Sequence, residues 1–356
     1  MTGSASSLKR PGWLDDESLF PSISFVIPMY NEQAHIANCL SSILAQNYPA
    51  GKLQIVVIDG NSTDASVRLV KDLFGGLDTP VSLITNPLRK TARSLNMGLA
   101  EANGDVIVIL GAHAEIEAGF IRHNLENLRS RPVVCSGGTL TNGGSGRTQR
   151  SIGEAMSHPF GMAAATHRYR TKPGLARTAV FGAYRREIFD IVGDFEEQGE
   201  MAEDAELNWR IVDAGYGIWY DPRIKSVYHP RQNLSSLARQ LYTYGSLRAQ
   251  MVRKHPGGLS MLHYAPPLSL LALLTLSIAS LAAPSWLVPL ALLTGLYATL
   301  ALLFSLQLWA TRRRVNPLVI GVGFAVIHVG WGLGFLIGLT RRKVNYDLAA
   351  GKAAQA

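Results

Sequence analysis

From Tyr264 to Ala310 the chain runs for 47 residues without an Asp, Glu, Lys, Arg or His. A second run, Val315 to Thr340, is interrupted only by His328. A helix needs about 20 apolar residues to cross a bilayer, so the first run suffices for two crossings and the second for a third. Pro284-Ser285 divides the first run, which predicts hydrophobic segments at 265–283, 285–310 and 317–339, then a polar tail at 341–356. The chain is 47% hydrophobic and 17% charged, against about 25% charged for ordinary soluble domains. These features predict a multi-pass membrane domain behind a soluble head.

The charge is distributed accordingly. Residues 222–263 carry seven basic side chains and no acid, whereas residues 1–221 are net acidic. Basic charge that borders apolar spans suits anionic lipid. A nucleic-acid footprint would place it on the head among aromatics, so nucleic acid is not expected as a partner. Two cysteines, Cys39 and Cys135, make neither a disulfide framework nor a metal-ligand cluster. Residues 1–20 read as a polar, flexible lead-in without an apolar signal core, so the head is expected in the cytoplasm. Topology carries a conflict. Arg312, Arg313 and Arg314 and the basic stretch before Tyr264 both belong inside, yet a third span would put Arg341, Arg342 and Lys343 outside.

The head, expected over 21–233, shows apolar runs at Ile23–Ile27, Gln54–Ile58, Val81–Thr85 and Val106–Leu110. Their starts lie 31, 27 and 25 residues apart, the length of a βα unit. Between them Ile36, Leu40, Ile43 and Leu44 recur at helical spacing. This alternation predicts an α/β head with a mostly parallel, doubly wound sheet, whose ligand sits at the carboxyl ends of the strands. Residues 136–149, rich in glycine, fit no phosphate-loop spacing and read as a linker or lid. Residues 203–214 read as a short helix, and residues 234–254 as a longer basic helix within a juxtamembrane segment, 234–263.

Strand one ends in Pro28-Met29-Tyr30-Asn31-Glu32, and strand two in Asp59-Gly60-Asn61-Ser62-Thr63-Asp64. A strand-end carboxylate followed by small residues can accept hydrogen bonds from a nucleoside, while Ser62 or Thr63 reads as a helix cap. These motifs, VIPMYNE and VVIDGNSTD, are followed by LRKTARSLNMGLAEANGD and GDFEEQGEMAEDAELNWRIVDAGYGIWYDP. In this order they resemble inverting nucleotide-sugar glycosyltransferases of family 2, with the Rossmann-like GT-A fold, over residues 22–250. GAHAEIE, HPRQNLSSLARQLYTYGSLR and the apolar tail are most similar to the succinoglycan ExoA-type branch.

The resemblance implies that Pro28, Tyr30, Glu32 and Asp59 hold the nucleoside, usually uridine, and that Arg89 and Lys90 approach the diphosphate. Glu203 and Asp204 match the family's Glu-Asp pair, whose Asp is the usual general base. Chemistry agrees, because inverting transfer needs one carboxylate to take the acceptor's hydroxyl proton. A helix start favours that carboxylate's charge, although acids there also simply complement the helix dipole. Phe181-Gly182-Ala183 matches either an acceptor border or a buried strand.

One motif departs from the family. Where an Asp-x-Asp for Mg²⁺ or Mn²⁺ is implied, this chain reads Gly111-Ala112-His113-Ala114-Glu115. Either His113 binds a cation with Glu115 or Glu117, or basic residues replace the cation, or catalysis is weak; a structural histidine is the remaining alternative. On helix 234–254, Gln240, Tyr244 and Arg248 fall at i, i+4 and i+8, a face able to clamp a donor or acceptor diphosphate or a lipid phosphate. Such a helix equally serves as a plain juxtamembrane element. The resulting expectation is an inner-membrane transferase moving sugar from a nucleotide sugar to a polyprenyl-diphosphate-linked acceptor in exopolysaccharide or cell-surface glycan synthesis. An inactive scaffold of the same fold is the alternative. A channel is disfavoured, because the spans carry no acid.

Overall fold

A computed structural model describes residues 8, 10–74, 79–144, 146–197, 202–312 and 314–341. Two compact units emerge: Met1–Thr141 with Arg170–Gln198 and Glu203–Tyr228, and Asn142–Tyr169 with Gly199–Ala202 and His229–Ala356. In chain order the elements are β1 (Ile23–Met29), α1 (Ile36–Leu44), β2 (Leu53–Asp59), α2 (Ser66–Phe74), β3 (Val81–Thr85), α3 (Thr91–Glu101), β4 (Val106–Ile109), β5 (Ala114–Ile116), α4 (Phe120–Ser130) and β6 (Val133–Asn142). They continue with α5 (Arg147–Ser157), β7 (Gly174–Ala176), β8 (Ala183–Arg185), α6 (Glu187–Val192), α7 (Glu203–Asp213), β9 (Gly217–Tyr228), α8 (Leu234–Lys254), α9 (Ala265–Ala282), α10 (Leu287–Thr311) and α11 (Pro317–Thr340).

The first unit is a Rossmann-like head built on one sheet in the order β3-β2-β1-β4-β8-β6-β9-β5, with β7 beside β9. Strands β3, β2, β1 and β4 run parallel. Alternate residues of β1 enter separate cores on the sheet's two faces, Phe25 and Ile27 on one and Val26 on the other. Strands buried on both faces read as the continuous apolar runs seen in the sequence. The pairs β4–β8, β6–β8, β5–β9 and β7–β9 are antiparallel, so the sheet is mixed rather than mostly parallel. Strands β5, β7 and β8 are three residues long, too short to leave a period in the sequence.

Two further expectations are corrected. Most of the glycine-rich stretch at 136–149 is neither linker nor lid: Ser136–Asn142 lie in strand β6 and α5 begins at Arg147. A Cβ at Gly138 would collide with Ile224 O, and one at Gly137 would come within 2.8 Å of the Ala179 Cβ. The glycines permit close approach of neighbouring backbone. In the lead-in, Trp13 and Leu14 are buried, and Arg129 on α4 donates to Trp13 O at 2.9 Å and Leu19 O at 2.7 Å. Residues 1–7 and 9 of the lead-in, Arg313, and residues 342–356 of the tail lie outside the described residues.

The second unit contains α5, α8 and, among the described residues, three helices long and apolar enough to cross a membrane: Ala265–Ala282, Pro284–Thr311 and Pro317–Thr340. Asn233 caps α8 by accepting from Ser236 N at 2.8 Å. Asn316 caps α11 in the same way through Leu318 N, at 3.0 Å.

Candidate active site

The register of the parallel strands lines up their carboxyl ends. Met29 pairs with Asp59, and Asp59 with Thr85. Asp59 is buried, and its two carboxylate oxygens accept from Ser62 N, each at 3.2 Å. Asn31 and Asn61 adopt φ of 52° and 61°, the left-handed region Asn tolerates best among residues with a Cβ. Asn31 N donates to Ser62 Oγ at 2.9 Å, and Glu32 N to Ser66 Oγ at 2.8 Å. The small hydroxyl residues after β2 therefore lace the β1 and β2 loops together, with Ser66 opening α2.

Beside these ends lies a cavity of about 370 Å³. Pro28, Tyr30, Glu32, Arg89, His113, Glu203 and Asp204 all line it. Asp59 stands one residue behind the lining Gly60. Arg89 Nη1 donates to the Tyr30 hydroxyl at 3.2 Å, and the guanidinium lies 5.0 Å from the ring centroid. Arg89 takes φ 54°, a strained backbone for a long side chain. Lys90 is exposed, precedes α3, and is not among the lining residues.

Helix α7 brings Glu203 and Asp204 to the same cavity. Asn208, fully buried, donates to Thr178 Oγ1 at 3.0 Å and Ala179 O at 3.2 Å, and accepts from the Tyr184 hydroxyl at 3.0 Å. One turn away, Arg210 grips Glu206 at 2.8 Å and reaches Asp194 O at 2.8 Å. Glu203 is half-buried, and burial, reinforced by the charge of Asp204, pushes its carboxyl up to about 7. Asp204 is exposed, and its Oδ1 accepts from Ala205 N at 2.7 Å.

At the expected metal position, His113 Nδ1 lies 3.1 Å from Glu32 Oε1. A Cβ at Gly111 would meet His113 Cε1 at 3.3 Å and Phe181 Cε1 at 3.4 Å, so these two rings take the room an aspartate would need. Glu115 and Glu117 do not join His113: among the described residues no three His, Cys, Asp or Glu side chains form a metal-ligating group. The donors present do not make a metal site of their own.

Gln240, Tyr244 and Arg248 belong to the second unit. Gln240 Nε2 donates to the Tyr244 hydroxyl at 3.0 Å, as their spacing predicts. The positive charge of Arg248 reaches two histidines whose pKa values are depressed chiefly by burial: His167, to about 3, and His263, to about 4.

Sequence reasoning missed Ser94, Phe195 and Asn208. Ser94 and Phe195 line the cavity, and buried Asn86 donates to Ser94 Oγ at 2.9 Å. Asn208 is legible only as a polar residue on the apolar face of α7, once that face is known. Phe181, left open between two readings, lines the cavity with φ 50°.

Residues 24–193 match the profile of the family "Glycosyl transferase family 2". Over 240 residues the chain is 28% identical to the dolichyl N-acetyl-alpha-D-glucosaminyl phosphate 3-beta-D-2,3-diacetamido-2,3-dideoxy-beta-D-glucuronosyltransferase of Methanococcus voltae, covering 65% of this chain and 74% of that protein. It is 27% identical to the succinoglycan biosynthesis protein ExoA of Rhizobium meliloti (strain 1021), covering 90% of this chain and 96% of that protein. Among solved structures, the mannosyltransferase PcManGT of Pyrobaculum calidifontis, in complex with GDP-Man and Mn²⁺, superposes with a TM-score of 0.64 at 23% identity. That match covers 89% of this chain and 88% of the other and shows a shared fold. Residues 24–193 are a glycosyltransferase family 2 domain on a GT-A fold, and the chain is a glycosyltransferase.

Proposed function

We propose that this protein is a membrane-anchored inverting glycosyltransferase of the cytoplasmic face of the inner membrane. It moves a sugar from a UDP-linked donor to a polyprenyl-diphosphate-linked acceptor in exopolysaccharide or surface-glycan synthesis. The observation that carries the reading is one cavity lined by strand-end Tyr30 and Glu32, by Arg89, and by the first-turn pair Glu203 and Asp204. The three apolar helices support anchoring, and the similarity to the M. voltae and R. meliloti proteins supports a lipid-linked acceptor.

In this reading Pro28, Tyr30, Glu32 and Asp59 hold the nucleoside. Arg89 offers a planar fork to the diphosphate, and exposed Lys90 adds positive charge beside it. Asp204 accepts the proton of the acceptor hydroxyl as that oxygen attacks the anomeric carbon. The anomeric C–O bond to the diphosphate breaks on the opposite face, and the nucleoside diphosphate leaves with the electron pair. The start of α7 favours negative charge at Asp204. Glu203, its carboxyl pushed up to about 7 by burial, is partly protonated at neutral pH and sits beside the exposed Asp204, the residue that the Glu-Asp motif assigns as base. Gln240, Tyr244 and Arg248 hold the acceptor diphosphate, and confinement of enzyme and acceptor to one surface raises their effective concentration.

Detergent-purified protein incubated with radiolabelled UDP-sugars and a polyprenyl-diphosphate-linked sugar should yield label extractable into organic solvent. No turnover with UDP, GDP or dTDP sugars would favour an inactive scaffold of the same fold.

A further inference from the structure

Helix α11 has two dissimilar faces. Leu318, Val322, Val329, Leu333 and Ile337 are exposed, while Gly330, Gly334 and Gly338 lie against α8. A Cβ at Gly334 would collide with Tyr242 O, and one at Gly338 would come within 2.8 Å of Ser246 O. Toward its start α11 lies against α5: Asn316 N donates to Ser151 Oγ at 2.8 Å, and a Cβ on Gly323 would be 3.3 Å from Ala155 Cβ. Non-helical backbone meets its middle, where Phe160 O lies 2.8 Å from His328 Nε2. A carbonyl only accepts, so Nε2 carries the proton and, in the neutral ring, Nδ1 accepts from the Tyr297 hydroxyl at 2.8 Å.

One side of α11 is thus covered along its length by elements bearing Arg147, Arg150, Glu154, Arg239, Arg248 and Arg253. Were α11 to cross the bilayer, these elements would be carried into hydrocarbon, where a central Arg costs about 2.5–3.5 kcal/mol even on insertion scales. Non-helical backbone is also unfavourable there.

The contacts of α11 with the other two apolar helices point the same way. Gly332 lies against Pro266 and Leu270, and Trp331 Nε1 donates to His263 O at 3.1 Å, all at the entry to α9. On α10 the contacts run from its middle toward its end: the Tyr297 hydroxyl meets His328, Gly321 lies against Ser305, and the buried residues are Ala301, Ser305 and Leu308. In a hairpin, the start of α9 and the end of α10 share one end. A third antiparallel span would instead bring its second half to the opposite end. The segment Pro284–Thr311 has 28 residues, more than the roughly 20 a crossing needs, so its last turns, which carry Ser305 and Leu308, can emerge and meet α11, while Tyr297 reaches His328 from further along the helix.

We propose that only α9 and α10 cross the bilayer. Helix α11 lies in the interface across the paired ends of that hairpin, its leucine and valine stripe in the acyl chains and its glycine stripe carrying α5 and α8. Arg253, which donates to Arg341 O at 2.6 Å, then shares one membrane face with Lys254, Arg312 and Arg341, and the positive-inside conflict disappears. This topology does not depend on the catalytic reading.

Single cysteines at Gly257→Cys, Ser285→Cys and Thr340→Cys test it, using a membrane-impermeant maleimide on sealed vesicles of both orientations. All three positions are exposed, and the two native cysteines are buried. Positions 257 and 340 should label from one face and 285 from the other. Labelling of 340 with 285, or of all three from one face, would overturn the proposal. A protease-cleavable reporter fused after Ala356 gives a second readout: cleavage from the face of 257 supports the topology, and cleavage from the face of 285 refutes it.

Discussion

Glu203 and Asp204 are consecutive residues at the start of α7, yet their carboxylates occupy opposite environments. Glu203 is half-buried with its acidity weakened to a pKa of about 7, whereas Asp204 is exposed and accepts a hydrogen bond from Ala205 N at 2.7 Å. Two carboxylates whose surroundings differ this much can divide proton-holding from proton-accepting work.

Burial of Glu203 also affects stability. Its ordinary pKa is 4.5, so between about pH 4.5 and 7 the folded state holds a proton that the unfolded chain has lost. Stability should therefore fall as pH rises through that window, by on the order of 2 kcal/mol once partial exposure is allowed for. Thermal unfolding of wild type and Glu203→Gln across pH 5–8 checks this. The wild-type midpoint should decline relative to the variant, and parallel curves would count against a buried carboxyl.

The strained backbone at Arg89 separates stability from binding. Arg89→Gly relieves a positive φ that costs about 1–3 kcal/mol but removes the guanidinium. Its midpoint should hold or rise, while UDP affinity, read by calorimetry, drops roughly 10- to 100-fold, the size of a charged hydrogen bond. Unchanged affinity would remove Arg89 from the diphosphate site.

Strand β6 makes a test of its own. Gly138→Ala drives a Cβ into Ile224 O and should cost about 1–3 kcal/mol or more, whereas Gly146→Ala meets nothing within 4 Å and should be neutral. Equal unfolding midpoints would mean that the stretch is not a packed strand.

The His113–Glu32 pair bears on the cation. Because no three His, Cys, Asp or Glu side chains among the described residues form a metal-ligating group, UDP binding should weaken by less than about tenfold when Mn²⁺ is replaced by a chelator, a loss under 1.4 kcal/mol. Binding only with Mn²⁺, and lost in His113→Ala, would show that the bound nucleotide completes a metal site with His113.

The parallel half of the sheet was legible in the sequence because two-face burial leaves unbroken runs such as Ile23–Ile27 and Gln54–Ile58. The antiparallel half was not, because three-residue strands and a glycine-rich strand look like loops. Tyr30, Glu32, Arg89, His113, Glu203 and Asp204 could be named from ordered motifs, and they line one cavity. The residues that hold them could not. Asn86 and Asn208 act through burial, which depends on contacts far apart in sequence, and Phe181 could be named only between two readings. The apolar runs at 264–310 and 315–340 announced helices, but covering α11 with α5 and α8 requires pairing across more than 70 residues.

The most direct test of the central claim is Asp204→Asn, measured for sugar transfer and for UDP binding on the same preparation. The account predicts transfer reduced by about 10²-fold or more, the range of a lost general base, with UDP affinity within about threefold of wild type. Transfer that persists near the wild-type rate, or an equal loss of transfer and binding, would contradict Asp204 as the base.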